Sequence, residues 1–198
     1  MIKSISYESL NFNSIYNNDI FEKPKFSKDG SKLIMMIEEE NKTGLQNYFD
    51  IPEDEYFNSS FNKNLKRFEY KESFGEMQSD KSDPIIIILD LIKFQSFVVN
   101  TKKYLGENFY PFQPFFDNEN NIFFGAFEFP FKKLGITFCL NRKCSIYQIK
   151  SIESCNQDTL LINHTKEYYT SLYPKLSPNR QNLIFFTSEE SYPHINGF

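Results

Sequence analysis

The 198-residue chain is 40% hydrophobic and 18% aromatic, which excludes a disordered polymer. Its net charge of −4 argues against nucleic acid as the main partner, because phosphate binding needs clustered Lys and Arg. The longest apolar run, Ile85 to Leu89, stops at Asp90 and is too short to span a bilayer. The start, Met1-Ile2-Lys3-Ser4, has no apolar core of the signal-peptide kind, and Cys139, Cys144 and Cys155 show no C-x-x-C spacing. The expectation is a cytoplasmic protein with reduced thiols, no membrane segment and no nucleic acid partner. In that compartment the N-x-S/T matches at Asn41, Asn58 and Asn163 read as chance.

In chain order, residues 1–20 are rich in Asn and Ser and read either as the end of a preceding unit or as disordered. Pro24 to Met36 then reads as a short apolar strand, a tight Asp29-Gly30 turn and a second apolar strand. A mostly polar stretch at 41–83 reads as a long loop insertion, with an added strand at Arg67 to Glu72. Pro84 to Leu91 and Gln95 to Val99 are the next strand pair. Ile92 to Lys102 has the best helical periodicity, but the consecutive Phe97, Val98 and Val99 favour strand. Phe115 to Phe124 repeats the strand-turn-strand pattern with an Asn-rich turn instead of Gly, and Asn tolerates the left-handed backbone. Ser145 to Ile149 and Thr159 to Ile162 follow as strands, and Pro174 to Phe186 is a third copy whose turn is set by Pro178-Asn179.

Three strand-turn-strand copies, with a further strand pair in each of the two intervals between them, are the signature of propeller blades. The expected fold is all-β, a partial β-propeller of about two and a half four-stranded antiparallel blades. The blades are expected at about 21–101 and 109–165, with an incomplete one from 171. Such a set cannot close a ring and leaves uncovered edges, so the expectation is a fragment of a longer protein.

The stretch Ile122 to Tyr147 is the most specific part of the chain. It contains Phe123 with Gly125, Pro130-Phe131, Lys133-Leu134-Gly135-Ile136, Phe138-Cys139 and Asn141-Arg142. In this it resembles the propeller of the acylaminoacyl peptidase family (acylamino-acid-releasing enzymes, relatives of prolyl oligopeptidase). Phe68-Glu69-Tyr70 with Phe74-Gly75-Glu76, and Leu176-Ser177-Pro178 through Pro193-His194, agree with the same family in order and spacing. Phe74, Ala126 and Phe127 stand where the family carries tryptophan. Two readings of Gly125 to Arg142 stay open: strand pairing and blade packing, or a long loop facing substrate or a catalytic domain.

The resemblance implies a cytosolic serine hydrolase that releases N-acylated residues from peptides. In that family the propeller limits access, and an α/β-hydrolase domain supplies the catalytic groups. The partners it implies are the rest of the propeller, that catalytic domain and N-acylated peptides, with a homo-oligomer left open. The alternative reading is a non-catalytic propeller scaffold that binds peptides or proteins.

No catalytic, cofactor-binding or metal-ligating residue is assigned. The sequence holds no G-x-S-x-G elbow for a nucleophilic Ser and no phosphate-binding Gly-rich loop. His164 and His194 lack local partners and read as surface histidines. Cys139, between Phe138 and Leu140, reads as a small buried apolar residue, whereas Cys144 follows Arg142-Lys143, which could lower its pKa. Glu38-Glu39-Glu40 and Glu53-Asp54-Glu55 read as solvated loop edges, since consecutive acids on a strand point to alternate faces. Asn62 to Arg67 reads as a solvated basic loop.

Overall fold

The structure is a computed structural model that describes residues 14–16, 18–39, 73–75, 78, 81–129, 133, 135–137, 140, 142–150 and 160–188. Their strands, in chain order, are β1 (Lys25–Phe26), β2 (Lys32–Glu38), β3 (Pro84–Asp90), β4 (Gln95–Val99), β5 (Phe109–Phe116), β6 (Ile122–Glu128), β7 (Cys144–Ile149), β8 (Leu161–Asn163), β9 (Thr170–Leu176) and β10 (Leu183–Ser188). They form two four-stranded sheets, β1-β2-β3-β4 and β5-β6-β7-β8, and a two-stranded sheet β9-β10, all antiparallel. Each sheet runs in simple meander order, as blades do, and the sheets do not close into a ring. The fold is an all-β partial propeller. The expected insertion at 41–83 lies largely outside the described residues, and its added strand at Arg67 to Glu72 lies wholly outside them.

The second strands are apolar without alternation because both of their faces are covered. Along β2, Ile34 and Met36 enter a large core shared with the second sheet, while Met35 and Ile37 enter a separate cluster with Ile87 and Leu89. Along β6, Ile122 and Phe124 belong to the large core, while Phe123 joins Phe115 and Ile146 against Leu176, Leu183 and Phe185 of the third sheet. Burying one such side chain contributes about 2 kcal/mol, so the sheet-to-sheet contacts hold the layers in order. Phe112 lies directly opposite Gly125 and stacks on Phe127, with ring centroids 4.2 Å apart. A Cβ built on Gly125 would come within 2.2 Å of the Phe112 ring, so only glycine fits there.

The first and third strand turns share one hydrogen-bond pattern, and the middle turn varies it. Asp29 Oδ1 accepts from the Ser27 hydroxyl at 2.6 Å and from the Ser31 amide at 3.0 Å, while Ser27 Oγ accepts from the Lys32 amide at 2.9 Å. In the third copy, Asn179 Oδ1 accepts from Ser177 Oγ and from the Gln181 amide at 3.1 Å, and Ser177 Oγ accepts from the Asn182 amide at 3.0 Å. Asp117 Oδ1 serves the middle copy, accepting at 2.8 Å from both the Glu119 and the Asn121 amides. These bonds from Ser27 and Ser31 hold the Asp29 carboxyl at a pKa of about 2. The left-handed position is Gly30 (φ 72°), Asn120 (φ 61°) and Arg180 (φ 56°) in turn. Asn120 takes the role expected of an Asn in the Gly-free turn. In the third turn that role falls on Arg180, while Asn179 staples the turn through its side chain.

The first strand of every sheet is interrupted at the same place. Between the pairs Phe112↔Gly125 and Phe115↔Phe123, β5 carries the extra residues Gln113 and Pro114 against Phe124 alone. Between Leu172↔Phe186 and Lys175↔Ile184, β9 carries Tyr173 and Pro174 against Phe185 alone. Both are one-residue bulges, and both put the residue before proline in the left-handed region, Gln113 at φ 49° and Tyr173 at φ 54°. In the first sheet the interruption has grown. Ile15 bridges to Ile37 and Lys25 pairs with Ile34, so Tyr16 through Pro24 stand against only Met35 and Met36. This excursion is closed by its own turn, with Asn18 Oδ1 accepting from the amides of Ile20 (3.1 Å) and Phe21 (3.0 Å). Buried Tyr16 and Phe21 anchor it through ring contact at 4.2 Å.

Ile92 to Lys102 is not one strand. Leu91 to Phe94 form a turn in which Asp90 Oδ1 accepts from the Ile92 and Lys93 amides, and only Gln95–Val99 is strand. A short helix, α1 (Thr101–Leu105), follows, started by Asn100 Oδ1 accepting from the Lys103 amide at 3.0 Å and stopped at Gly106 (φ 102°).

Gly30 tests the turn geometry. A Cβ there meets nothing within 4 Å, so Gly30→Ala is penalised only through its backbone. The expected loss is about 1–2 kcal/mol, or about 3–6 °C in Tm by calorimetry, with Gly30→Asn losing less than half of that. Equal losses in the two variants would show that the backbone conformation is not the cause.

Candidate functional site

Two clusters of polar and aromatic side chains are built between the sheets. The first clasps the returning end of the 41–83 insertion to the connection after β6. Phe74 is buried in an edge-to-face group with Tyr110 (5.2 Å) and Phe129 (6.0 Å). The Phe74 carbonyl accepts from the Ile136 amide at 3.2 Å, and Ile136 is itself in the core. Gly75 (φ 60°) faces Gly135 so closely that a Cβ on Gly75 would lie 3.2 Å from the Gly135 Cα. Lys133 lies 5.3 Å from the centroids of both Phe74 and Tyr110 and donates to the Asp83 carboxylate. Asp83 also accepts from Lys102 at 3.2 Å, and Lys102 donates to Glu39 at 3.0 Å. Burial disfavours the Lys102 charge, but Glu39 and Asp83 outweigh it and raise its pKa.

The expected solvated edge at Glu38-Glu39-Glu40 is corrected in part. Glu38 is buried, not solvated, and accepts from Lys81 at 2.7 Å, from Ser14 Oγ and more distantly from Ser82. That arrangement fastens both ends of the insertion at the β2–β3 end, with its negative charge matched. Glu39 is exposed, and Glu40, Glu53-Asp54-Glu55 and Asn62 to Arg67 lie outside the described residues.

The second cluster sits where the first strands converge. Glu22 (φ 68°) accepts from Lys25 on β1 and from Lys175 on β9, joining the first sheet to the third. Burial alone would raise the Glu22 carboxyl, but the bonds from Lys175 and Lys25 hold it below the usual range. Burial also lowers the Lys25 pKa against the pull of Glu22. The Lys25 ammonium lies 5.3 Å from the centroid of Phe115 on β5. Gln113 donates through Nε2 to the Asp19 carbonyl at 3.2 Å, and its Oε1 is a buried acceptor with no partner. A cavity of about 510 Å³ opens beside these groups.

Of the residues singled out in the sequence, Cys144 is corrected. Its thiol is buried, donates to the Ser171 carbonyl at 3.2 Å and accepts from the Ser171 amide at 3.3 Å. Burial pushes its pKa up to about 12 against the opposing bond from the Ser171 amide, so it ties β7 to β9 and is not a reactive thiolate. His164 is exposed over much of its surface but lies on Phe123 at 5.3 Å and pairs with Gln148 Oε1 at 3.0 Å. The cover on that face, with Lys150 nearby, lowers its pKa. Cys139, Cys155 and His194 lie outside the described residues. Ala126 is buried on the Ile122 and Phe124 side of β6, and Phe74 and Phe127 both make aromatic contacts. The described part of Gly125 to Arg142 packs inward through Phe129, Lys133 and Ile136, with Arg142 at 5.2 Å from the Phe129 ring.

Among the described residues no group of three or more His, Cys, Asp or Glu could hold a metal ion. No helix among them is long and apolar enough to cross a membrane. The clasp residues Phe74-Gly75 and Lys133-x-Gly135-Ile136 were visible as motifs, but their mutual contact was not. The convergent cluster was missed altogether, because its parts are separated in the chain by the length of two sheets.

The family model for the acylamino-acid-releasing enzyme N-terminal domain matches residues 1–194. The chain belongs to this family. It is similar to the human acylamino-acid-releasing enzyme, 28% identical over 134 residues, and to the pig enzyme, 27% over 130 residues. The mouse enzyme is 28% identical over 130 residues. Each match covers 65% of this chain and 16% of the relative, so the aligned part is a small share of those enzymes.

Two measurements follow from these contacts. In a double-mutant cycle read by urea unfolding, Lys133→Met and Phe74→Leu should couple by about 1 kcal/mol, and additivity would mean that the cation and the ring do not interact. For Cys144, the raised pKa means that its contribution to stability is intact below the unfolded thiol pKa and is lost as pH rises toward about 12. At about pH 8, Cys144→Ala should leave the number of thiols that react with Ellman's reagent in the folded chain unchanged. It should remove one from the unfolded chain.

Proposed function

We propose that this chain is part of the propeller of an acylamino-acid-releasing serine hydrolase, and that the propeller restricts which N-acylated peptides reach the nucleophile. The catalytic Ser, Asp and His belong to an α/β-hydrolase domain outside this sequence, and the enzyme works in the cytoplasm. The supporting observation is the use made of the family-resembling residues. Phe74, Gly75, Lys133, Gly135 and Ile136 are spent on locking two long connections to the sheets. Such a clasp gives a rigid wall, which is what exclusion by size requires, and closure of that wall would keep water from the reaction.

Further blades of the same propeller are the proposed cover for the outer face of the third sheet. Ile184 and Phe186 are 60% and 58% exposed there, whereas the matching Ile34 and Met36 of the first sheet are buried against the second.

The full-length protein should hydrolyse acetyl-alanine p-nitroanilide and lose that activity to a serine-directed fluorophosphonate. Gly75→Leu, which forces Gly135 away, should raise kcat/KM several-fold for long N-acetylated peptides while leaving the small anilide unchanged. Absence of hydrolysis would favour a binding scaffold over an enzyme. Parallel changes for long and short substrates would remove the gating role.

A further inference from the structure

The bulges of the three first strands stand at equivalent positions, and in the first sheet the bulge has expanded into the excursion that carries Asn18 to Pro24. Glu22, Gln113 and Tyr173 all sit at positive φ around one cavity of about 510 Å³. A backbone in that region costs energy for any residue with a Cβ, and bulges re-aim side chains. Three such positions facing one space are therefore a structural commitment that sheet pairing does not need.

The lining has a definite chemistry. Lys23 and Lys175 are exposed on it, and the Lys175 side chain is 55% exposed even while it meets Glu22. Each ammonium has three donors, so Lys175 has capacity beyond the one bond to Glu22. The Glu22 carboxylate already receives Lys25 and Lys175, and the Asp19 carbonyl already receives Gln113. The Gln113 side chain is 2% exposed and keeps an unpartnered Oε1, a costly arrangement unless a donor is supplied. Tyr173, 38% exposed, adds an aromatic wall.

We propose that this cavity binds a short peptide by its free C-terminal carboxylate. The carboxylate meets Lys23 and Lys175, a peptide N–H donates to Gln113 Oε1, and a side chain lies against the Tyr173 ring. This rests on the reading that the propeller handles peptides, and it adds a preference to it: selection by the C-terminal charge as well as by size.

The test is titration of the full chain with N-acetyl-trialanine, its C-terminal amide, and acetate alone, followed by calorimetry and by NMR of the Gln113 side-chain amide. The acid should bind at least tenfold more tightly than the amide, and at least tenfold more tightly than acetate. Lys175→Met and, independently, Lys23→Met should each reduce the preference for the acid, while Lys103→Met on α1 should leave it intact. Gln113→Leu should weaken acid and amide alike. Equal affinity for acid and amide, a preference that survives both lysine substitutions, acetate as tight as the peptide, or no binding at millimolar peptide would each overturn the proposal. Selective binding without hydrolysis of the anilide would remove the enzyme reading and keep this one; hydrolysis without selective binding would do the reverse.

Discussion

The structure depends on one constraint: the central strands are apolar on both faces, so each sheet needs a neighbour on each side. The second sheet shows the requirement met in full. Ile122 and Phe124 lie in the core shared with the first sheet, and Phe123 and Ile146 lie under the third. A sandwich of two half-polar sheets would read as alternating residues, and these strands do not. Stacking order then dictates the rest. Tight turns keep each sheet narrow, glycine at 125 lets the Phe112 ring lie flat within the interface, and Cys144 bonds across it to Ser171. The polar side chains of the strand turns are satisfied locally, as the Ser27, Asp29 and Ser31 turn illustrates.

Legibility in the sequence followed the range of the interaction. The strand-turn-strand copies were readable because apolar runs and turn residues are local signals. The Asn-rich middle turn was readable for the same reason. Arg180 in the left-handed position was not, because Pro178 and Asn179 carry the stronger turn propensity and nothing local marks an arginine for that conformation. The α1 helix was hidden because its only signals are a cap at Asn100 and a stop at Gly106, around five residues of weak periodicity. Glu38 and Cys144 were misread for a different reason. Their surroundings come from residues far along the chain, Lys81 and Ser14 for one and Ser171 for the other, and nothing next to them in sequence announces either the burial or the partners.

The same distinction explains why the Lys133 to Ile136 stretch is more specific than the strand turns. Lys133, Gly135 and Ile136 each answer to a separate demand made by the Phe74-Gly75 element: a cation over two rings, a missing side chain opposite Gly75, and an amide aimed at the Phe74 carbonyl. All three contacts come from four consecutive positions and meet one short element. An S-x-D-G turn has no such partner; it answers only to itself, and so it can recur in any propeller.

The interrupted first strands are where the repeat departs from its own rule. A blade gains nothing in pairing from a residue at positive φ before proline, yet β5 and β9 both have one, and the first sheet expands the same point into a loop. The bulge common to β5 and β9 is geometry that both sheets accommodate with their pairing intact on either side. An enlarged one, held by its own Asn18 turn and by the Tyr16 and Phe21 rings, is added structure with its own means of support. The clasp and the excursion therefore divide the work by location. The clasp fixes the outer connections to the sheets and contributes rigidity. The excursion sits where the first strands meet, and it brings Glu22 within reach of cations from the first and third sheets. The exposed side chains there, Lys23 and Lys175, stand outside the stacked cores that carry the fold, whereas Tyr16 and Phe21 belong to them.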